Sequence, residues 1–99
     1  MMAREHSPRG SRLAPPIMSR HAKLRSQQRV IPPFVIEALL DFGNSELAGY
    51  GYERFFFTKR SWKRFSVHMG PAAHDVERFR DVYIVVSGDG TVVTAAWRH

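Results

Sequence analysis

The sequence predicts an α+β domain in which two N-terminal helices pack on a small antiparallel sheet, with a short third helix and a C-terminal β-hairpin. Two patterns carry this prediction: an apolar stripe of helical spacing that ends at a glycine, and two apolar runs separated by Asp-Gly. A chain of 99 residues has the length of one domain with a modest core.

The composition narrows the class of protein. The chain has no cysteine, so we expect a cytoplasmic protein without disulfides. No apolar run approaches the roughly 18 residues typical of a membrane span, so we expect no contact with a membrane. The formal net charge of +6 favours an anionic partner, which is RNA or another nucleic acid, or an acidic protein.

The N-terminal stretch MMAREHSPRGSRLAPPI, residues 1–17, combines Pro, Gly, Ser and Arg without periodicity. Such a composition is typical of a disordered basic tail. We therefore expect a single folded domain over residues 18–99.

Two helices are expected at the start of this domain. Ser19 suits the N-cap of the first, over about residues 20–29. Proline suits the first turn of the second, over about residues 33–42. Gly43 follows the second helix and suits the left-handed conformation that ends many helices. The apolar stripe of the second helix comprises Val35, Ile36, Leu39 and Leu40.

The middle of the chain predicts a strand and then the third helix. Aromatic residues 52–57 suit a strand, and the glycines just before them mark a loop or a bulged strand entry. Thr58 suits the N-cap of the third helix and Gly70 its end. Residues 71–81 favour a loop with some helix, because a proline at their start blocks a continuous helix. The apolar face of the third helix comprises Trp62, Phe65 and Met69.

The stretch DVYIVVSGDGTVVTAAWR predicts the hairpin, with Asp89 and Gly90 at the two central turn positions. This turn sets the register of the two strands. The expected apolar pairs are Val86 with Val93, Ile84 with Ala95, and Val82 with Trp97. The opposite face is half polar and carries Tyr83, Thr94 and Arg98, where a ring can stack on a base and a guanidinium can hold its phosphate.

Two further groups of basic residues are candidate anion sites. His21, Arg25 and Arg29 recur every fourth residue of the first helix, as one wall of an anion site or as a solvated face opposite Leu24. The first two turns of the third helix contain four cations, although the helix dipole disfavours positive charge at that end. Such a departure from a local rule indicates a phosphate-binding role, and the alternative is a basic surface helix. These four are Lys59, Arg60, Lys63 and Arg64.

Many common motifs of catalysis and cofactor binding are missing. The sequence has no P-loop, no dinucleotide-binding glycine pattern, no zinc-protease helix and no Cys-x-x-Cys. His68 and His74 flank Gly70-Pro71 without the further ligands that a metal site needs. We therefore expect neither a metal nor a cofactor. We expect Trp62 and Trp97 in the core.

The stretches RHAKLRSQQRVIPPFVIEALLDFG and VYIVVSGDGTVVTAAWR resemble a bacterial domain family of unknown function. The pattern of that family is a His, an Arg four and often eight residues later, R-x-I before the second helix, and a closing DG-x-V-x-T hairpin. In this chain the pattern falls on His21, Arg25, Arg29, Ile31, Asp89, Gly90, Val92 or Val93, and Thr94. The family is similar in organisation to the RelE-like and barnase-like ribonucleases and toxins.

This resemblance implies that RNA lies on the open face of the sheet and that the protein is a metal-independent endoribonuclease of toxin type. His21 would then be the acid or base, Arg25 and Arg98 the phosphate clamps, and Thr94 a positioning hydroxyl. Cations would stabilise the charge that builds on phosphorus. Relatives tend to place a His before the final Arg, where this chain has Trp97. The alternatives are a nucleic-acid-binding module without catalysis and a protein that docks an acidic, antitoxin-like partner.

Overall fold

The computed structural model describes residues 15–98 and confirms the α+β class. Four antiparallel strands form one sheet in the order β1-β2-β3-β4. Residues 1–14 of the predicted tail and His99 lie outside the described residues. The elements in chain order are α1 (Arg20–Gln28), α2 (Pro33–Phe42), β1 (Asn44–Gly49), β2 (Tyr52–Phe56), α3 (Lys59–Met69), a 3₁₀ segment (Gly70–Asp81), β3 (Val82–Val86) and β4 (Val92–Trp97).

The first two helices begin and end where the sequence predicts, but the end of α2 has a different cause. Ser19 caps α1 by accepting a hydrogen bond from the Ala22 amide at 3.0 Å. Gly43 does not adopt the left-handed conformation, since its φ is −69°. A glycine is needed there because a Cβ atom would lie 2.6 Å from the Leu39 carbonyl oxygen. The same Cβ atom would lie 3.1 Å from the Phe56 carbonyl oxygen, so the last turn of α2 and the strand β2 both approach this glycine closely.

The strand β1 was not predicted from the sequence. Its residues, NSELAG, include types that are depleted in strands, and most of its side chains are exposed. It becomes a strand by pairing with β2 through a tight turn. The first strand of the sheet thus depends on its neighbour rather than on its own residues.

The third helix spans the residues that the sequence predicts, and the segment after it is more regular than predicted. The expected short helix is 11 residues long and begins with a capping box, in which the Thr58 and Ser61 side chains each accept a hydrogen bond from the other's amide. A 12-residue 3₁₀ segment follows in place of a loop with some helix. Its buried residue is Phe79, which contacts Trp97 and Phe34 through its ring.

The predicted C-terminal hairpin forms, and its register is right far from the turn. Val82 pairs with Trp97 and Ile84 with Ala95. Near the turn the prediction is wrong, because Val86 pairs with Val92 instead of Val93. The register shift between Val85 and Val86 absorbs the extra residue as a bulge.

The turn itself explains this shift. The Ser87 amide donates to the Thr91 carbonyl at 2.8 Å, so three residues rather than two form the loop. Gly90 closes the loop with a φ of +90°, which favours glycine. Hydrogen bonds from the Ser87 hydroxyl and the Thr91 amide stabilise the Asp89 carboxylate and hold its pKa below its ordinary value of 3.8.

One face of the sheet is buried beneath the helices. Alternate residues of the central strands point toward this side, and the row Phe55, Ile84 and Ala95 lies in the hydrophobic core. α1 packs on β4, α2 packs on β2 and β3, and α3 packs on α2. The intervening residues of the same strands lie outside this core cluster. The sheet therefore has a core face and an opposite face, here named the open face.

The end of α1 contains a strained residue. The Ile31 amide donates to the Ser26 carbonyl at 2.9 Å and the Val30 amide to the Gln27 carbonyl at 3.3 Å, which together form a Schellman motif. This motif usually places glycine at the position that Val30 occupies with a φ of +53°. A left-handed conformation costs a residue with a side chain about 1–2 kcal/mol.

We expect Val30→Gly to raise the free energy of unfolding by about 0.5–1 kcal/mol, which is several degrees in melting temperature. Val30 is 71% exposed, so the substitution removes strain without opening a cavity. The matched control is Val67→Gly, at an exposed valine inside α3, which should lower stability by about 0.5 kcal/mol. Thermal melts of both variants test the prediction, and a loss of stability at both sites would contradict it.

Candidate nucleic-acid interface

The open face of the sheet carries an aromatic pair at its centre. Phe56 of β2 lies directly opposite Tyr83 of β3, and Tyr83 lies opposite Ala96 of β4. Side chains alternate along a strand, so Tyr52 and Arg54 lie on the same face as Phe56. Phe56 and Tyr83 are half-buried, and neither belongs to the core cluster that the helices cover. The centre of the open face is therefore apolar and aromatic.

Two arginines lie beside these rings. The Arg98 Cζ atom is 5.7 Å from the centroid of Phe56, and the Arg54 Cζ atom is 6.0 Å from the centroid of Tyr83. At this range a guanidinium has a weak attraction to the ring, about 0.5–1 kcal/mol at exposed sites. Arg54 also forms an ion pair with Glu46 of β1. The pair is exposed, so a phosphate can compete for Arg54 at small cost.

The open face continues into a depression at the start of α3. The Arg98 side chain, which lies over Phe56, also forms part of the wall of this depression. The depression has a volume of about 220 Å³. Its other lining residues are Phe57, Thr58, Lys59, Trp62, Arg80 and Asp81. Three cations and one carboxylate thus lie at the end of the aromatic pair.

The structure places three of the predicted site residues on the open face. Tyr83 and Thr94 lie on it through the register of β3 and β4, in which Val85 pairs with Thr94. Arg98 follows β4 directly, and its amide donates to the Asp81 carbonyl at 2.6 Å. These three therefore belong to one surface.

The residues predicted on α1 have different surroundings. His21 is exposed, and Arg25 Nη1 donates to Gln28 Oε1 of the same helix at 3.3 Å. Leu24 is 50% exposed, whereas Ala22 and Ser26 are buried, so the solvated face does not lie opposite Leu24. Between residues 15 and 98, no hydrogen bond or ion pair joins His21 or Arg25 to the residues of the open face.

Arg29 holds α1 against the edge of β4. Its Nη1 donates to the Ala95 carbonyl at 3.0 Å, and its own carbonyl accepts a hydrogen bond from Trp97 Nε1 at 2.9 Å. That carbonyl is one of the last in α1, which the helix itself leaves without a donor. The predicted nucleic-acid contact at Arg29 stays untested, but its guanidinium already has a structural partner.

The four cations of α3 do not share one surface. Lys59 lines the depression beside Arg98, whereas Arg60, Lys63 and Arg64 border a separate apolar groove with Phe42 and Val67. Arg64 Nη2 also donates to the Phe42 carbonyl at 3.2 Å. All four side chains are exposed.

Sequence reasoning missed Phe56, Arg54 and Tyr52. The alternation in YERFFF carries a signal that could have found them, because every second residue of a strand points to one face. Which of the two alternating sets faces the core depends on β3, whose Ile84 lies opposite Phe55. The residues of β2 that lie on the open face can therefore be recognised only after β2 is aligned with β3.

The described residues contain neither a cluster that could bind a metal nor a helix that could span a membrane. Between residues 15 and 98, no three His, Asp or Glu side chains come together as a group that could hold a metal ion. In the same part of the chain, no helix is both long enough and apolar enough to cross a membrane.

We expect Arg29→Met and Trp97→Phe each to lower the free energy of unfolding by about 1–3 kcal/mol, because each leaves a partly buried carbonyl without its donor. Both bonds join α1 to β4, so the double variant should deviate from additivity by more than about 0.5 kcal/mol. The control is Arg25→Met, whose bond to Gln28 is exposed and should matter by less than about 0.5 kcal/mol. Urea denaturation measures all four, and an equal loss at Arg25 would contradict this role of Arg29.

Comparison of the chain with known proteins found no matching family model, no matching curated protein and no matching solved structure. The resemblance to the bacterial ribonuclease-like family remains an expectation from the residues that carry it.

Proposed function

We propose that this protein binds single-stranded RNA on the open face of its sheet. The observation that carries the proposal is the cross-strand pair Phe56 and Tyr83, which lies outside the core and beside the guanidinium of Arg98. A half-buried pair of rings at the centre of a sheet face, outside the core, is a platform on which unpaired bases stack. Stacking of one base on an aromatic side chain contributes about 1–3 kcal/mol.

The charges around the platform support an anionic ligand. Arg98 lies over Phe56 at one end of the aromatic pair, and Arg54 lies beside Tyr83. A base that stacks on Phe56 brings its phosphate close to Arg98, whose planar guanidinium can donate two hydrogen bonds to it. The net charge of +6 attracts the strand from a distance and makes its binding dependent on salt.

Binding without cleavage agrees better with the geometry than the ribonuclease that the resemblance implies. Cleavage needs an acid or base within hydrogen-bond reach of the ribose and phosphate. Within residues 15–98, the strands supply no histidine to the open face, and Glu46 is engaged by Arg54. His21, the proposed acid or base, lies on α1 without a hydrogen bond to Thr94 or Arg98.

We expect Tyr83→Leu and Phe56→Leu each to weaken the binding of a uridine oligonucleotide by about tenfold, as the loss of one stacked base predicts. The dissociation constant can be measured by fluorescence anisotropy at a fixed salt concentration. The matched control is Phe34→Leu on α2, an exposed aromatic outside the open face, which should leave binding unchanged. Thermal melts establish that all three variants fold.

Equal weakening by Phe34→Leu, or no weakening at the platform, would contradict the proposal. The same samples, incubated with RNA and EDTA, test the ribonuclease alternative. Products that end in a cyclic phosphate would establish cleavage without a metal. A stable complex with an acidic protein, formed without salt-sensitive RNA affinity, would favour the partner-docking alternative.

A further inference from the structure

A second depression extends the first along α3. It has a volume of about 440 Å³ and lies between α3 and the 3₁₀ segment. Its lining residues are Lys59, Trp62, Lys63, Ser66, Ala73, His74 and Glu77. Lys59 and Trp62 also line the depression beside Arg98, so the two depressions are neighbours that share a wall. Together they form one path, here named the α3 groove, that starts at Arg98 and ends at His74.

The groove is predominantly cationic. Arg98, Lys59, Arg80 and Lys63 lie along it, against two carboxylates. One of these carboxylates, Glu77, already accepts a hydrogen bond from Arg80 at 3.2 Å in an exposed ion pair. Lys59 and Lys63 make no ion pair or side-chain hydrogen bond with any residue between 15 and 98. Their charges are therefore available to an anion.

The floor of the groove offers no surface for stacking. Trp62 is buried, with its ring edge-on to Phe57 at a centroid distance of 4.9 Å and an angle of 84°. A base cannot lie flat on a ring that is held in this way by the core. The groove thus suits a chain of phosphates rather than a row of bases, in contrast to the open face.

We propose that the α3 groove carries the sugar-phosphate backbone of the same single strand after it leaves the open face. This inference rests on the proposed function. Arg98 is the junction, because its guanidinium lies over Phe56 and also lines the start of the groove. The strand then passes Lys59 and reaches Lys63 one turn further along α3.

The opposite side of α3 provides a contrast. Arg60 and Arg64 border an apolar groove with Phe42 and Val67, and neither lines the depressions that contain Lys59. Lys63 lies between the two sides and borders both. Lys59 and Arg60 are adjacent in sequence, exposed and equal in charge. They lie on different sides of the helix, since Lys59 lines the α3 groove and Arg60 lines the apolar groove. The two residues therefore form a matched pair for an experiment.

The test compares two labelled uridine oligonucleotides, one of about four nucleotides that fits the open face and one of about ten that also fills the groove. For the long oligonucleotide, Lys59→Gln should weaken binding severalfold and reduce the slope of log affinity against log salt by about 0.7, the loss of one phosphate contact. For the short one, the same variant should change neither quantity. Arg60→Gln should leave both oligonucleotides unaffected.

The outcomes separate the two proposals. If Tyr83→Leu weakens both oligonucleotides while Lys59→Gln and Arg60→Gln act alike, the open face binds RNA and the groove assignment is overturned. Equal affinity of wild-type protein for both lengths overturns the groove assignment as well. If Tyr83→Leu affects neither oligonucleotide, the proposed function fails and the groove, as its continuation, fails with it.

Discussion

The attachment of α1 to the edge of β4 is the contact on which the rest of the structure depends. The Val92 amide donates to the Ile17 carbonyl, and the Val92 carbonyl accepts from the Ser19 amide. Farther along the strand, the Arg29 guanidinium donates to the Ala95 carbonyl, and the Trp97 indole donates to the Arg29 carbonyl. Unpaired strand edges are prone to pair with other chains, and this one is covered. The same contacts hold α1 against β4, where Ala22 enters the core. The first residue of this attachment, Ile17, belongs to the stretch that the sequence assigns to the tail.

The open face follows from the same arrangement. Helices cover the core face of a four-stranded sheet, and each strand sends every second side chain to the other side. At the end of β2 this alternation divides three successive phenylalanines, so that Phe55 and Phe57 are buried while Phe56 lies on the open face. A sheet face that only contacts solvent usually carries polar side chains. The aromatic pair of Phe56 with Tyr83 lies there instead, and it is the basis of the proposal that this surface binds unpaired bases.

The positive charge of the chain serves two different purposes. Arg29 and Arg64 donate to backbone carbonyls, and Arg54 and Arg80 form ion pairs with nearby glutamates. Lys59 and Lys63 have no such partner between residues 15 and 98. Net charge therefore overstates the part of the basic surface that is free to meet a phosphate. Of the α3 cations, Lys59 lines the depression that contains Arg98, Lys63 borders both sides of the helix, and Arg60 and Arg64 border only the other side.

Local signals by themselves determined the helix starts, the ends of α2 and α3 and the final hairpin. Ser19 and Thr58 cap helices through bonds to residues three positions away, and the residues around Asp89 and Gly90 contain all that a tight turn needs. Only tertiary structure decided the rest. β1 is a strand because β2 lies beside it. The role of Arg29 and the exposure of Phe56 depend on partners that are distant in sequence, Ala95 and Tyr83. Periodicity predicts whether a segment forms a helix or a strand and which residues share a face. It carries no information on which other strand or helix packs against that face.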